Sequence, residues 1–151
     1  MMDDELSDLY QDIILGHSRR PRNAEKPEPC DAEAEGFNPL CGDKLTVYLK
    51  RDGDKVGAVA CDCHGCAICK ASGSIMTTMV KGKPIAEAEK MIKEFTGMLT
   101  AEEEPTIDLE THGDLAALIG VRKFPARVKC AALAWHALDA AIEGRDEAST
   151  E

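Results

Sequence analysis

The chain has 151 residues, seven cysteines and a formal net charge of −10, which suits one domain with its own hydrophobic core. The charge argues against nucleic acid and anionic membranes as partners, because both repel an acidic protein, and no apolar run reaches membrane-spanning length. Since the acidic N-terminus is also unlike a signal peptide, we expect a cytoplasmic protein whose thiols serve metal binding or sulfur chemistry rather than disulfides.

Residues 1–43 predict one helix followed by irregular chain. Apolar side chains recur at helical spacing between Leu6 and Ile14, so the chain opens with an amphipathic helix. The basic run 19–22 ends this helix and is either a solvated turn or a docking patch. A long polar loop follows, which its prolines and Gly36 keep irregular.

Two alternating segments predict a β-hairpin directly after this loop. Residues 45–49 alternate as in a strand with one buried face, residues 52–53 make the turn, and residues 56–60 return as the second strand. The open ends of an antiparallel hairpin are neighbours. We therefore expect Cys41 and Asp43, which precede the first strand, to approach the cysteine-rich stretch that follows the second.

The second half of the chain predicts helices. Helical patterns and their start and stop signals cover residues 68–79, 85–95, 115–119 and 125–143. An acidic linker occupies residues 102–105, and the short third helix of this set is capped by Asp114 and ended by Gly120. We expect one domain over residues 1–144 and a disordered tail over residues 145–151.

Four of the seven cysteines fall within residues 61–69. Cys66 and Cys130 lie in the first turns of predicted helices, where unpaired N–H groups and the helix dipole lower the pKa of a thiol. Together with Cys41 and Asp43 they provide three thiolates and one carboxylate, a tetrahedral set suited to Zn²⁺. The same thiolates could hold iron in a cluster, and buried inert thiols are the structural alternative.

Three motifs, taken in order, resemble the SufU/IscU family of iron–sulfur cluster assembly proteins, which are similar to the N-terminal part of NifU. The motifs are Asn38-Pro39-Leu40-Cys41-Gly42-Asp43, Gly65-Cys66-Ala67-Ile68 followed by Ala71-Ser72, and Arg127-Val128-Lys129-Cys130. The resemblance implies an α+β fold, a small antiparallel sheet with helices packed on one side. It also implies that the metal site is formed by Cys41, Asp43, Cys66 and Cys130.

Arg127 matches an arginine that lies near the site in this family, and a salt-bridged arginine of a helix turn is the alternative. Two further features resemble the SufU-like branch. That branch carries an insertion before the last cysteine, here around Thr96 to Gly120, and IscU-like scaffolds have a histidine where this chain has Lys129. Lysine is normally protonated and is a poor metal ligand.

The SufU-like branch implies a function for the chain. Its members are zinc-dependent sulfur acceptors, which would make this chain a sulfurtransferase-like partner of a SufS/IscS-like cysteine desulfurase. Cys41 would take persulfide sulfur from the desulfurase and pass it on to downstream iron–sulfur assembly proteins. A scaffold that assembles and transfers a [2Fe–2S] cluster is the alternative function.

Cys61, Cys63 and Cys69 depart from the family pattern. They are either small core residues or additional sulfur ligands, and the spacing Cys63-x-x-Cys66-x-x-Cys69 superficially resembles part of a bacterial ferredoxin run. A ferredoxin-like electron carrier is therefore a remote third function. Cys30, in a proline-rich loop, is interpreted as incidental, and His17 has no partner visible in the sequence. His64 is either an exposed turn histidine or a further metal ligand.

Overall fold

The computed structural model describes residues 2–103 and 109–149, in which four strands form one sheet. The strands are β1 (Ala32–Asn38), β2 (Asp43–Asp52), β3 (Lys55–His64) and β4 (Glu147–Ser149), and their order across the sheet is β3-β2-β1-β4. β1, β2 and β3 are antiparallel, whereas β4 pairs with β1 in parallel. The predicted α+β class is confirmed, and the predicted small antiparallel sheet is antiparallel except for β4.

Helices cover one face of this sheet. In chain order they are α1 (Met2–Arg19), α2 (Ala67–Val80), α3 (Ile85–Thr100), α4 (Leu109–His112), α5 (Leu115–Ile119) and α6 (Pro125–Glu143). α6 packs over β1 and β2, and α2 packs over β3. Trp135 on α6 is completely buried, and its ring contacts that of Phe95, which joins α3 to the same core. Within the described ranges, no helix is both long enough and apolar enough to cross a membrane.

β3 is longer than the sequence predicts, because it includes the first four residues of the cysteine-rich stretch. Cys61 pairs with Val47 and Cys63 with Leu45, so both cysteines continue the apolar alternation on the helix-covered face. The intervening Asp62 is exposed. The cysteine-rich stretch therefore begins inside the hairpin rather than after it.

β1 and β4 form where the sequence predicts irregular chain. The buried positions of β1 are Ala34, Gly36 and Asn38, and such small or polar residues give no strand pattern. A Cβ at Gly36 would lie 3.1 Å from the Leu133 side chain, so the glycine lets α6 approach the sheet closely. β4 lies in the tail predicted to be disordered, where its order depends on pairing with β1. Residues 150 and 151 are outside the described ranges.

The helices largely follow their sequence patterns. The expected end of α6 at Gly144 is confirmed by a left-handed backbone there, with φ 80°. Gly120 does not end the helical path, because its φ is −58° and a 3₁₀ turn, Gly120–Lys123, continues from α5. Part of the predicted acidic linker, residues 104 and 105, lies outside the described ranges.

His17, for which the sequence shows no partner, is buried in a polar contact between three helices. Its Nδ1 lies 2.7 Å from Ser74 Oγ on α2, and its Nε2 lies 2.8 Å from Asp114 Oδ2, just before α5. The guanidinium of Arg22 also approaches the ring. Asp114 therefore contacts α1 instead of capping α5, for which its side chain makes no hydrogen bond.

Replacing His17 with alanine should lower the free energy of unfolding by about 2 kcal/mol, because buried hydrogen-bonding groups lose their partner. Urea denaturation of the metal-free protein measures this difference. His64→Ala is the matched control, since the His64 side chain is 81% exposed and its loss should change stability by less than about 0.5 kcal/mol. Equal destabilisation by both variants would contradict a stabilising role for the buried contact.

Candidate metal centre

The structure brings three of the four predicted ligand residues together at the open end of the β2–β3 hairpin. Cys41 lies in the short turn between β1 and β2, Asp43 is the first residue of β2, and Cys130 lies on α6. Their donor atoms are all within 4.8 Å of one another, and no other such group of three occurs in the described ranges. These residues come from separate elements, so the site exists only in the folded chain.

Asp43 is held by hydrogen bonds from two neighbouring segments, the end of β1 and the start of α2. Its carboxylate accepts from the Cys66 main-chain N–H at 2.8 Å and from Asn38 Nδ2 at 3.1 Å. A side chain at Gly65 would overlap the carboxylate, which explains the glycine there. Burial alone raises the pKa of Asp43, but hydrogen bonds from Cys66, Cys130 and Asn38 outweigh burial and hold that pKa below its ordinary value.

Cys66 is the N-cap of α2 rather than a residue of its first turn. Its Sγ accepts a hydrogen bond from the Cys69 main-chain N–H at 3.4 Å. The same Sγ lies 3.9 Å from Asp43 Oδ2, yet it is outside the group of three donor atoms. Cys66 therefore lies next to the three donor atoms and contacts one of their residues, Asp43.

Cys130 is completely buried in the second turn of α6, one turn later than predicted. Its Sγ accepts from Asn38 Nδ2 at 3.4 Å. Burial, followed by hydrogen bonds with Asp43, Cys41 and Cys66, raises the pKa of this thiol. The prediction that the helix start lowers the pKa of Cys130 is therefore wrong for the metal-free chain, because the free N–H groups lie in the first turn.

Arg127 supplies positive charge at the edge of this group of donors. It lies in the first turn of α6 and is exposed. The thiols of Cys66, Cys130 and Cys41 raise the pKa of Arg127, because negative charge on nearby sulfurs favours the charged guanidinium. In the part of the chain that the structure describes, no carboxylate lies within ion-pair distance of Arg127, so the salt-bridged alternative is not found.

Asn38 is a site residue to which the sequence analysis assigned no role. It is buried, and its Nδ2 bridges Asp43 and Cys130. Its Oδ1 has no hydrogen-bond partner in the described ranges. The sequence signal that could have identified Asn38 is its place at the start of the Asn38–Asp43 motif. In the folded chain Asn38 pairs with Asp43 across the turn that carries Cys41.

The remaining cysteines have different surroundings. Cys61 is buried in the core, where its Sγ packs against Gly73 of α2. Cys63 and Cys69 contact each other, with their Sγ atoms 3.1 Å apart. This contact with Cys63, then burial, raises the pKa of Cys69. Cys30 lies at the opposite end of β1 and donates to the Ala32 carbonyl.

Comparisons with known proteins relate this chain to iron–sulfur assembly proteins. The profile of the family described as NifU-like N terminal domain matches residues 9–131. The zinc-dependent sulfurtransferase SufU of Bacillus subtilis (strain 168) is 41% identical over 138 residues, which cover 91% of each chain. The iron-sulfur cluster assembly scaffold protein IscU of Streptococcus pyogenes serotype M1 is 37% identical over 139 residues, 92% of this chain and 86% of that protein.

A solved structure has the same fold. The crystal structure of a nitrogen-fixing NifU-like protein (N-terminal) from Brucella abortus superposes with a TM-score of 0.78 at 26% sequence identity. The superposition covers 92% of this chain and 95% of the other. The likeness therefore includes both the sheet and the helices that carry the candidate donors.

Proposed function

Because this chain belongs to the family described as NifU-like N terminal domain, we propose that it serves iron–sulfur cluster assembly as a zinc-dependent sulfur acceptor. It receives persulfide sulfur from a cysteine desulfurase and passes it on to downstream iron–sulfur assembly proteins. The observation that carries this proposal is an exposed thiol, Cys41, beside the buried donors Asp43 and Cys130. The relative described as a zinc-dependent sulfurtransferase supports it.

The donor set fits zinc. Two sulfurs and one carboxylate oxygen lie within 4.8 Å of one another, and tetrahedral zinc with Zn–S bonds of about 2.3 Å places its sulfurs roughly 3.8 Å apart. Small side-chain rotations would bring the donors to that spacing, with Cys66 as the fourth ligand. The proposed ligands are therefore Cys41, Asp43, Cys66 and Cys130. Bound zinc would keep the ligand sulfurs deprotonated, which is the reactive form of a thiol.

Cys41 is the sulfur acceptor in this proposal because it is the accessible member of the set. It is exposed in a turn, whereas Asp43 and Cys130 are buried. The Cys41 thiolate attacks the outer sulfur of the Cys–S–SH group on the desulfurase. A Cys41–S–SH persulfide forms, the sulfur–sulfur bond on the desulfurase breaks, and the desulfurase cysteine leaves as a thiolate. The transfer is an exchange that needs neither oxidant nor reductant.

Arg127 positions the anionic sulfur in this proposal, because it is exposed in the first turn of α6, three residues before Cys130, and no carboxylate pairs with it within the described ranges. Arg127→Ala should slow persulfide transfer about tenfold, and Arg127→Lys should recover part of the rate by restoring the charge. Rapid quench followed by mass spectrometry measures transfer. The control is Arg145→Ala. Arg145 follows α6 and pairs with Asp139 and Glu143 of that helix. A rate unchanged in Arg127→Ala would contradict the positioning role.

A scaffold for a [2Fe–2S] cluster is the second candidate function, which the 37% identity to the IscU scaffold protein favours. Metal analysis after purification without air distinguishes the two functions. A colourless protein with about one zinc per chain, the content of a single four-ligand site, supports the sulfur acceptor. A brown protein with iron and acid-labile sulfide supports the scaffold. A ferredoxin-like carrier built on residues 61–69 lacks support, since those cysteines form no group of three close donors.

A further inference from the structure

Cys63 and Cys69 form a close dithiol beside the candidate metal centre. Cys63 is near the end of β3, Cys69 is in the first turn of α2, and their Sγ atoms are 3.1 Å apart. Cys63 is half-buried, whereas Cys69 is completely buried. A half-buried thiol in contact with a second thiol suits thiol–disulfide exchange, because one sulfur can attack and the other can resolve the product.

The dithiol is adjacent to the proposed ligands without being one of them. Cys63 pairs with Leu45, which lies two residues beyond Asp43 on β2 and therefore roughly 7 Å along the strand. Cys69 donates its main-chain N–H to Cys66 Sγ. Cys41 occupies an exposed turn at the same end of the sheet, with Gly42 next to it. The proposed transfer requires this exposed turn to carry the Cys41 sulfur to Cys63.

We propose that Cys63 and Cys69 reduce the persulfide on Cys41 and release its outer sulfur as sulfide, becoming a disulfide themselves. This inference rests on the proposed function and adds a second reaction to it. A sulfur acceptor that completes the reduction itself delivers sulfide, the oxidation state in which sulfur enters an iron–sulfur cluster. Cys61 takes no part, because its sulfur packs against Gly73 in the core.

The reaction balances in two exchange steps. The Cys63 thiolate attacks the outer sulfur of Cys41–S–SH, which breaks the sulfur–sulfur bond, releases the Cys41 thiolate and leaves Cys63–S–SH. The Cys69 sulfur then attacks Cys63 Sγ and forms the Cys63–Cys69 disulfide, while the Cys69 proton leaves with the expelled sulfur as H₂S. The sulfane sulfur gains two electrons, and the sulfurs of Cys63 and Cys69 each lose one. A thiol reductant, either a small thiol or a dithiol protein, returns the disulfide to the dithiol.

The second step needs little movement. A disulfide has its sulfurs about 2.05 Å apart, so the two Sγ atoms must approach by roughly 1 Å. Rotation of either side chain about its Cα–Cβ bond supplies a displacement of this size. Since Cys69 is at the start of α2 and Cys63 at the end of β3, the bond would join the two elements that also hold Cys66.

Single-turnover sulfur transfer tests the proposal. A cysteine desulfurase is charged with one equivalent of cysteine, freed of small molecules, and mixed without air or added thiol with the reduced, zinc-loaded chain. Sulfide is measured as its bimane adduct, and disulfides and persulfides are identified by alkylation and peptide mass spectrometry. We expect the wild-type chain to release sulfide and to gain the Cys63–Cys69 disulfide in equal amounts.

Cys63→Ser should keep the persulfide on Cys41, whereas Cys69→Ala should divide it between Cys41 and Cys63. Both variants should release at least about tenfold less sulfide, with unchanged zinc content. The matched control is Cys30→Ser, because Cys30 lies at the far end of β1 and should behave like wild type. Sulfide release without the disulfide in the wild-type chain would overturn the proposal, whether or not the variants fold. Wild-type sulfide release by both folded dithiol variants would overturn it as well.

A second arm separates this inference from the proposed function. The Cys41→Ala chain is mixed with glutathione persulfide, which offers the same sulfane sulfur directly to Cys63. Suppose that in the first experiment the desulfurase leaves no sulfur on Cys41 of the wild-type chain, whereas glutathione persulfide yields sulfide and the Cys63–Cys69 disulfide in the Cys41→Ala chain. The acceptor function then fails and the dithiol chemistry stands. If neither arm yields the disulfide, the dithiol proposal is wrong even when Cys41 accepts sulfur.

Discussion

Replacing Cys41 with alanine should abolish the transfer of persulfide sulfur from a cysteine desulfurase to this chain. We expect a loss of more than about 100-fold, because the attacking sulfur itself is removed. Mass spectrometry of samples quenched soon after mixing with charged desulfurase, before the persulfide is reduced, should find the added sulfur on the Cys41 peptide of the wild-type chain and on no peptide of the variant. The stability of the metal-free protein should change by less than about 0.5 kcal/mol, since Cys41 is exposed.

Cys30→Ala is the control for this experiment. Cys30 is another thiol in a loop, and its Sγ donates to main-chain carbonyls at the far end of β1, so its removal should leave sulfur transfer unchanged. An active Cys41→Ala chain that carries the added sulfur on Cys63 or Cys69 would show that the acceptor has been assigned to the wrong residue.

Replacing Asp43 with alanine should weaken zinc binding by about 100-fold or more. Loss of a residue that only hydrogen-bonds to a metal ligand lowers metal affinity by about 10–100-fold, and loss of a ligand itself should cost at least as much. It should also lower the stability of the metal-free chain by about 2–3 kcal/mol, since the half-buried Cys66 N–H and the buried Asn38 amide lose their acceptor. Elemental analysis and urea denaturation measure the two effects. Chelation of zinc from the wild-type chain should lower stability as well, because metal binding is coupled to folding.

Asp62→Ala is the matched control for Asp43. Asp62 is also a strand aspartate near the hairpin end, but its side chain is half-exposed at 53% and faces away from the candidate centre. Its removal should change neither zinc content nor stability by a measurable amount. If Asp43→Ala retained full zinc content, Asp43 would not be a ligand.

The carboxylate of Asp43 also predicts a pH dependence for the metal-free chain. Its pKa in the folded chain is held below the ordinary value of 3.8, so the folded state binds the proton less readily than the unfolded state. The stability that Asp43 contributes is therefore present above about pH 4 and is lost as the pH falls through the lowered pKa. Asp43→Asn should flatten this part of the stability profile, which denaturation at a series of acidic pH values measures.

Much of the site could be predicted because its parts lie in strongly patterned segments. The alternation over residues 45–49 and 56–60 predicts a hairpin, and an antiparallel hairpin necessarily brings its open ends together. That geometry accounts for the approach of Asp43 to Cys66. The positions of Cys66 and Cys130 relative to their helices were each wrong by up to one turn, because start signals locate a helix end only to within a few residues.

Other features leave no local pattern because they depend on segments far apart in the chain. β1 buries small and polar side chains, and β4 is ordered through its pairing with β1. Asn38 reaches Cys130 across 92 positions, and His17 reaches Asp114 across 97. Contacts of this kind follow from how helices and strands pack, which sequence periodicity does not report.

The sequence by itself determined five of the six described helices, the β2–β3 hairpin, the cysteine-rich stretch and, through three motifs, the resemblance to the family. These features are local, since side-chain periodicity and motif order are carried by neighbouring residues. The tertiary structure alone decided which thiols meet. It buries Cys61 in the core, leaves Cys41 exposed beside Asp43, and places Cys63 against Cys69. The reason is physical: α2 and α6 pack on one face of the sheet, and that packing sets the distances between sulfurs.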